Sequence, residues 1–127
     1  MNGSDPDPDT LLPVMFWIHG GHDIGAISYY FGYKLMDHDV VLVEVQYRLS
    51  ALGWLSLDID EVPGNAGAFD MIEALKWVQK YIKYFGGDPN RVTIFGESAG
   101  GASVSTLMLA PQSRGKYAII TYGISDR

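Results

Sequence analysis

Gly96-Glu97-Ser98-Ala99-Gly100 stands between an apolar run, Val92-Thr93-Ile94-Phe95, and a segment of small residues that opens a helix. A strand that passes into a helix across so little chain must bend through a tight turn. That turn forces its central residue, Ser98, into a strained backbone region. The glycines two before and two after Ser98 remove side-chain bulk where the strand, the helix and a neighbouring strand crowd together. The bend leaves the Ser98 hydroxyl exposed near the positive end of the helix, where a developing oxyanion is favoured. The pentad alone is weak evidence in a chain with 15 glycines. The strand before it, the helix after it and a second glycine motif upstream, His19-Gly20-Gly21, make it specific. The competing reading of Ser98 is a serine that caps the helix behind it.

The rest of the chain alternates strands with helices. Val14-Met15-Phe16-Trp17-Ile18 is a continuous apolar run of strand length, as in a strand buried on both faces. A short helix is predicted near Tyr29 to Met36. Val40 to Val45 reads as a second buried strand, and residues 46–65 as an extended loop with breakers at Gly53, Pro63 and Gly64. Ala66 to Tyr84 is the clearest helix, because Ala68, Met71, Ile72, Leu75, Val78, Ile82 and Phe85 recur at helical spacing. Gly86-Gly87 ends it, and Asp88-Pro89-Asn90 makes a turn into the strand at 92–95. A further helix is predicted from Ala99 to Leu109, stopped by Pro111, with Ala118 to Tyr122 as a fourth strand. The pattern predicts an α/β fold: a mostly parallel central sheet of about four strands, flanked by helices and joined by right-handed crossovers.

Composition excludes several function classes. Net charge is −6, which argues against a nucleic-acid partner. Asp5, Asp7 and Asp9 alternate with Pro6 and Pro8, so residues 1–11 read as an acidic disordered tail and residues 12–127 as one domain. There is no cysteine, hence no disulfide and no thiol chemistry. The first residues carry neither a basic n-region nor an apolar h-region, so no secretory signal is expected. No apolar stretch is long enough to span a bilayer. His19, His22 and Asp23 are close in sequence, but no further ligand cluster accompanies them, and no metal is expected. No cofactor is expected either.

Several blocks together resemble the type-B carboxylesterase and cholinesterase family of α/β-hydrolases. They are Trp17-Ile18-His19-Gly20-Gly21, Gln46-Tyr47-Arg48-Leu49, Ala51-Leu52-Gly53-Trp54-Leu55, Pro63-Gly64-Asn65-Ala66-Gly67 and the string from Phe85 to Gly101. The resemblance runs from about Leu12 to Arg114 and covers the N-terminal-to-middle part of a catalytic domain. It implies hydrolysis of a small-molecule ester by a Ser-acid-His triad, whose acid and histidine follow later in chain order. This sequence ends before either, so the isolated chain is expected to be inactive. Strands and helices on both flanks of the sheet would be missing, leaving apolar edges and faces exposed.

By the same resemblance, Ser98 is the nucleophile within an elbow formed by Gly96, Glu97 and Gly100. The oxyanion hole draws on the amides of Ala99, Gly21 and His22, with Gly20 letting the backbone approach. His22 departs from the family, which usually has glycine or alanine there, followed by an aromatic where this chain has Asp23. One reading is plain divergence, since any residue but proline keeps the N–H. The other has the imidazole crowding the acyl pocket or acting as a local base. His19 is expected to hold the loop through a hydrogen bond, and His38 to be a solvated loop residue. Glu97 should point away from the Ser98 hydroxyl. Tyr29, Tyr30, Phe31 and Trp54 line an apolar pocket in one reading and belong to the core in the other. The alternative to an enzyme is a non-catalytic esterase-like domain serving adhesion or binding. Such relatives commonly lack the serine that is present here.

Overall fold

The computed structural model describes residues 10–21, 32–113 and 118–124, the last as strand backbone. The elements in chain order are β1 (Leu12–Ile18), β2 (Val41–Val45), α1 (Ser50–Trp54), α2 (Ala66–Tyr81), β3 (Gly87–Glu97), α3 (Ala99–Leu109) and β4 (Ala118–Ile124). The four strands form one sheet in the order β2-β1-β3-β4, and every pairing is parallel. β1 is central: Phe16 pairs with Val43 on one side and with Ile94 on the other. The elbow strand β3 therefore lies on the opposite side of β1 from β2.

β1 alternates rather than burying both faces. Val14, Phe16 and Ile18 are fully buried, whereas Met15 and Trp17 are half-buried. The reason is that α2 and α3 supply their apolar stripes to one core. Met71, Leu75, Val78, Val104 and Leu107 cluster with Val14, Phe16, Ile18, Val92 and Ile94. Each such side chain removed from water contributes about 1.5–3 kcal/mol. On the other face Trp17 meets Phe95 ring to ring at 4.9 Å.

α2 carries the predicted stripe up to Ile82. There the chain tightens into a 3₁₀ turn, Ile82–Phe85, which ends at Gly86 with φ 82°. Phe85 leaves the stripe: it is exposed and rests on Trp77, 5.5 Å away. β3 begins earlier than the hydrophobic run suggests, at Gly87, and bulges between its pairings at Gly87 and Val92. The predicted turn lies inside that bulge, where the Asn90 N–H donates to the Asp88 carboxylate at 2.8 Å. α3 has the predicted ends. Its C-terminus is closed by the buried Ser113, whose hydroxyl donates to the carbonyls of Leu107 and Ala110.

Two local readings are corrected. Residues 46–65 are not all extended loop, because α1 forms within them. A β-carbon on Gly53 would sit 2.1 Å from the Arg48 carbonyl oxygen, so this glycine lets the short helix close onto its own entry and is no breaker. Of the helix expected near 29–36, residues 29–31 lie outside the described residues, and 33–37 form turns. Residues 1–9 of the acidic segment also lie outside.

One ion pair joins the segment after β2 to α2, and another closes the bulge of β3 on itself. Arg48 donates to Asp70 from Nε at 2.7 Å and from Nη2 at 2.6 Å, and its backbone N–H reaches the same carboxylate at 3.0 Å. Arg91 Nε donates to Asp88 at 2.8 Å. The hydrogen bonds from Arg48 hold the Asp70 carboxyl below its ordinary value, and those from Arg91 and Asn90 do the same for Asp88. A carboxylate with a lowered folded pKa stabilises fully above its unfolded value, and that stability is lost as pH falls through the folded one. The thermal midpoint should be flat from about pH 7 to about pH 5 and decline below. Asp70→Asn with Asp88→Asn should flatten part of that decline, and the effect is small because the arginines are solvated. Midpoints across pH for both proteins check this; parallel curves would refute it.

Candidate active site at the β3–α3 junction

Ser98 joins β3 to α3 with φ 52° and ψ −119°. L residues other than glycine rarely adopt this conformation. Ser98 is exposed and makes no side-chain capping hydrogen bond, so the cap reading fails. Its carbonyl accepts from the Ala102 N–H at 3.1 Å, which opens the helix.

Three backbones meet around it. A β-carbon on Gly100 would lie 2.0 Å from the Ile18 carbonyl oxygen, and one on Gly96 would lie 2.6 Å from the Gly100 carbonyl carbon and 2.7 Å from the Ile18 oxygen. The end of β1, the end of β3 and the first turn of α3 thus touch with no room for side chains. This contact brings the residues after β1 alongside the elbow. A β-carbon on Gly20 would fall 3.0 Å from the Ser98 Cβ and 2.6 Å from the Glu97 carbonyl oxygen. Gly20 is buried, while Gly21 is exposed with φ 90°.

His19 is fully buried, and its Nδ1–H donates to the Gly20 carbonyl at 2.8 Å, a loop-holding bond of the kind expected. Its ring stacks on Tyr47 at 4.6 Å, and the Tyr47 hydroxyl donates to the His19 carbonyl at 2.7 Å. The sequence reading missed Tyr47. The available signals were its place just past the end of a buried strand and in the Gln46-Tyr47-Arg48-Leu49 block that carries the family resemblance.

Glu97 is half-buried, with a carboxylate oxygen 2.5 Å from where a Gly20 β-carbon would sit. Ala99, Tyr47, Ser50, Trp54, Leu55 and Thr106 are among the residues lining an open groove of about 650 Å³ beside the first turn of α3. Trp54 is partly exposed there and does not belong to the core. Arg48 and Asp88 stand in the ion pairs described above. His38 is exposed in a turn. His22, Asp23, Tyr29, Tyr30 and Phe31 lie outside the described residues, so the loop is seen as far as Gly21. Among the described residues, no three of His, Cys, Asp or Glu gather to hold a metal, and no helix is long and apolar enough to cross a membrane.

A hydroxyl presented on a sharp bend, with glycine backbone against it and a helix N-terminus behind it, suits attack on a carbonyl and shelter of the oxyanion that results.

The carboxylesterase family model matches residues 3–123. The chain is 54% identical over 108 residues to a cocaine esterase of Oryctolagus cuniculus, covering 84% of this chain and 20% of that protein. It is 50% identical over 121 residues to pyrethroid hydrolase Ces2e of Rattus norvegicus, covering 92% and 21%. Among solved structures, juvenile hormone esterase from Manduca sexta, with OTFP covalently attached, superimposes with a TM-score of 0.83 at 39% identity, over 89% of this chain and 22% of that one. The chain thus spans about a fifth of the length of the proteins it matches.

Proposed function

The chain belongs to the carboxylesterase family, and on that premise we propose that it forms the N-terminal-to-middle part of the catalytic domain of a carboxylic ester hydrolase. Ser98 is the nucleophile. Its oxygen adds to the ester carbonyl as a base takes its proton, and the carbonyl oxygen becomes an oxyanion. The amides of Gly21, His22 and Ala99 receive that charge, with Gly20 allowing the approach. The oxyanion collapses, the alcohol leaves with a proton, and water then cleaves the acyl-enzyme. Gly96, Glu97 and Gly100 form the elbow. The domain starts near residue 12, after the acidic segment. The acid and the histidine of the triad come from beyond the elbow in chain order, so residues 1–127 alone turn over little or no ester.

The observation that supports this most is the strained, uncapped Ser98 with Gly20 packed against it. The test is covalent labelling by a fluorophosphonate probe, using the longest form that the transcript encodes. Labelling is expected in the native protein and absent in Ser98→Ala. A native protein that resists the probe would overturn the enzyme reading in favour of an adhesion or binding domain.

A further inference from the structure

We infer that Tyr47 is a positioning residue for the oxyanion loop, acting through His19; this rests on the ester-hydrolase reading above. The segment His19-Gly20-Gly21 must hold its amides in one direction, yet two successive glycines make it the least constrained backbone in the site. In a trans peptide the carbonyl and the following N–H point to opposite sides. Fixing a carbonyl therefore fixes the amide of the next residue. The Tyr47 hydroxyl holds the His19 carbonyl at 2.7 Å, which sets the Gly20 amide. The His19 Nδ1–H holds the Gly20 carbonyl at 2.8 Å, which sets the Gly21 amide. The imidazole can do this only while its ring plane is held, and Tyr47 stacks on it at 4.6 Å with 21° between the planes. Tyr47 and His19 are both buried, at 5% and 0% exposure, so water does not compete for these bonds. Tyr47 thus restrains two consecutive peptide units, one directly and one through the ring of its neighbour.

A positioning role differs from a structural one in what it changes. Loosening the donors weakens the transition state and leaves ground-state binding alone. Tyr47→Phe keeps the ring and removes the hydroxyl. In the longest encoded form, normalised by active-site titration, it should lower kcat and the fluorophosphonate labelling rate by about 10-fold. That is less than the 10²–10³-fold of a deleted donor, because the amide is loosened and not lost. KM for a short-chain nitrophenyl ester should stay within about two-fold. Val78→Ala, in the core on α2, is the control: its midpoint should fall while turnover per titrated site holds. If Tyr47→Phe does not fold, Tyr47→Gln, which keeps a donor without the ring, should retain more kcat than Tyr47→Leu. Native protein that labels while Tyr47→Phe is unimpaired per site would overturn the role of Tyr47 alone. The same follows if Val78→Ala loses as much turnover, or if the Gln and Leu variants are alike. Native protein that neither labels nor turns over would overturn the ester-hydrolase reading and, with it, this role.

Discussion

Ser98→Gly should raise the stability of residues 1–127 and abolish covalent labelling of the longest encoded form. At φ 52° and ψ −119° the native serine sits where its Cβ is disfavoured. Such residues cost about 1–3 kcal/mol and persist only where surrounding structure enforces them. Glycine adopts the same angles without that cost, although it gains freedom in the unfolded chain, which offsets part of the relief. The net expectation is about 1 kcal/mol, or a midpoint higher by roughly 4 °C. Labelling by a fluorophosphonate should fall by about 10⁴-fold or more, as for removal of a nucleophile that acts with a base. Ser98→Ala is the necessary comparison. It should lose labelling equally but gain no stability, because alanine keeps the Cβ. Midpoints of the three proteins decide the matter. Equal stability of the Gly and Ala variants would mean that the bend stores no strain.

Gly100→Ala should be among the most destabilising substitutions in the chain. The added methyl would lie 2.0 Å from the Ile18 carbonyl oxygen and 2.8 Å from that of His19. Both obstacles are backbone, fixed within or beside the central strand, so no rotamer change relieves the contact. Either α3 moves off the sheet or β1 gives way. The cost should be about 3 kcal/mol or more, and the midpoint should drop by roughly 10 °C. Ser103→Ala, one turn along α3 and only half-buried, should cost less than about 1 kcal/mol. Denaturant titration compares them. A Gly100→Ala protein within about 1 kcal/mol of native would show that β1 and α3 do not pack as tightly as described.

Local pattern carried the elements whose residues face one consistent environment. α3 runs between the limits read from the small residues after Ser98 and from Pro111, and α2 carries its stripe as far as Ile82. The elbow was legible because a strand, a bend and a helix must follow in immediate succession there, and glycines record the crowding. The blocks that carry the family resemblance were legible too, and the match over residues 3–123 agrees with them. Where the environment depends on distant chain, local pattern is not enough. Val14 to Ile18 reads as buried on both faces; among the described residues α2 and α3 cover one, in a chain that spans about a fifth of the proteins it matches. Gly53 reads as a breaker, and is a glycine because Arg48 passes against it.

From sequence alone came the order of the four strands with α2 and α3, the bend at Ser98 and the glycine loop after the first strand, because each depends on interactions between near neighbours along the chain, whereas α1 was not legible. Which face of β1 meets the helices was settled only by tertiary packing. So were the partner of the His19 ring and the contact of Gly20 with the elbow. Those depend on residues separated by 28 positions, as with His19 and Tyr47, or by nearly 80. No local periodicity records such pairings, because it is the sheet order that brings them together.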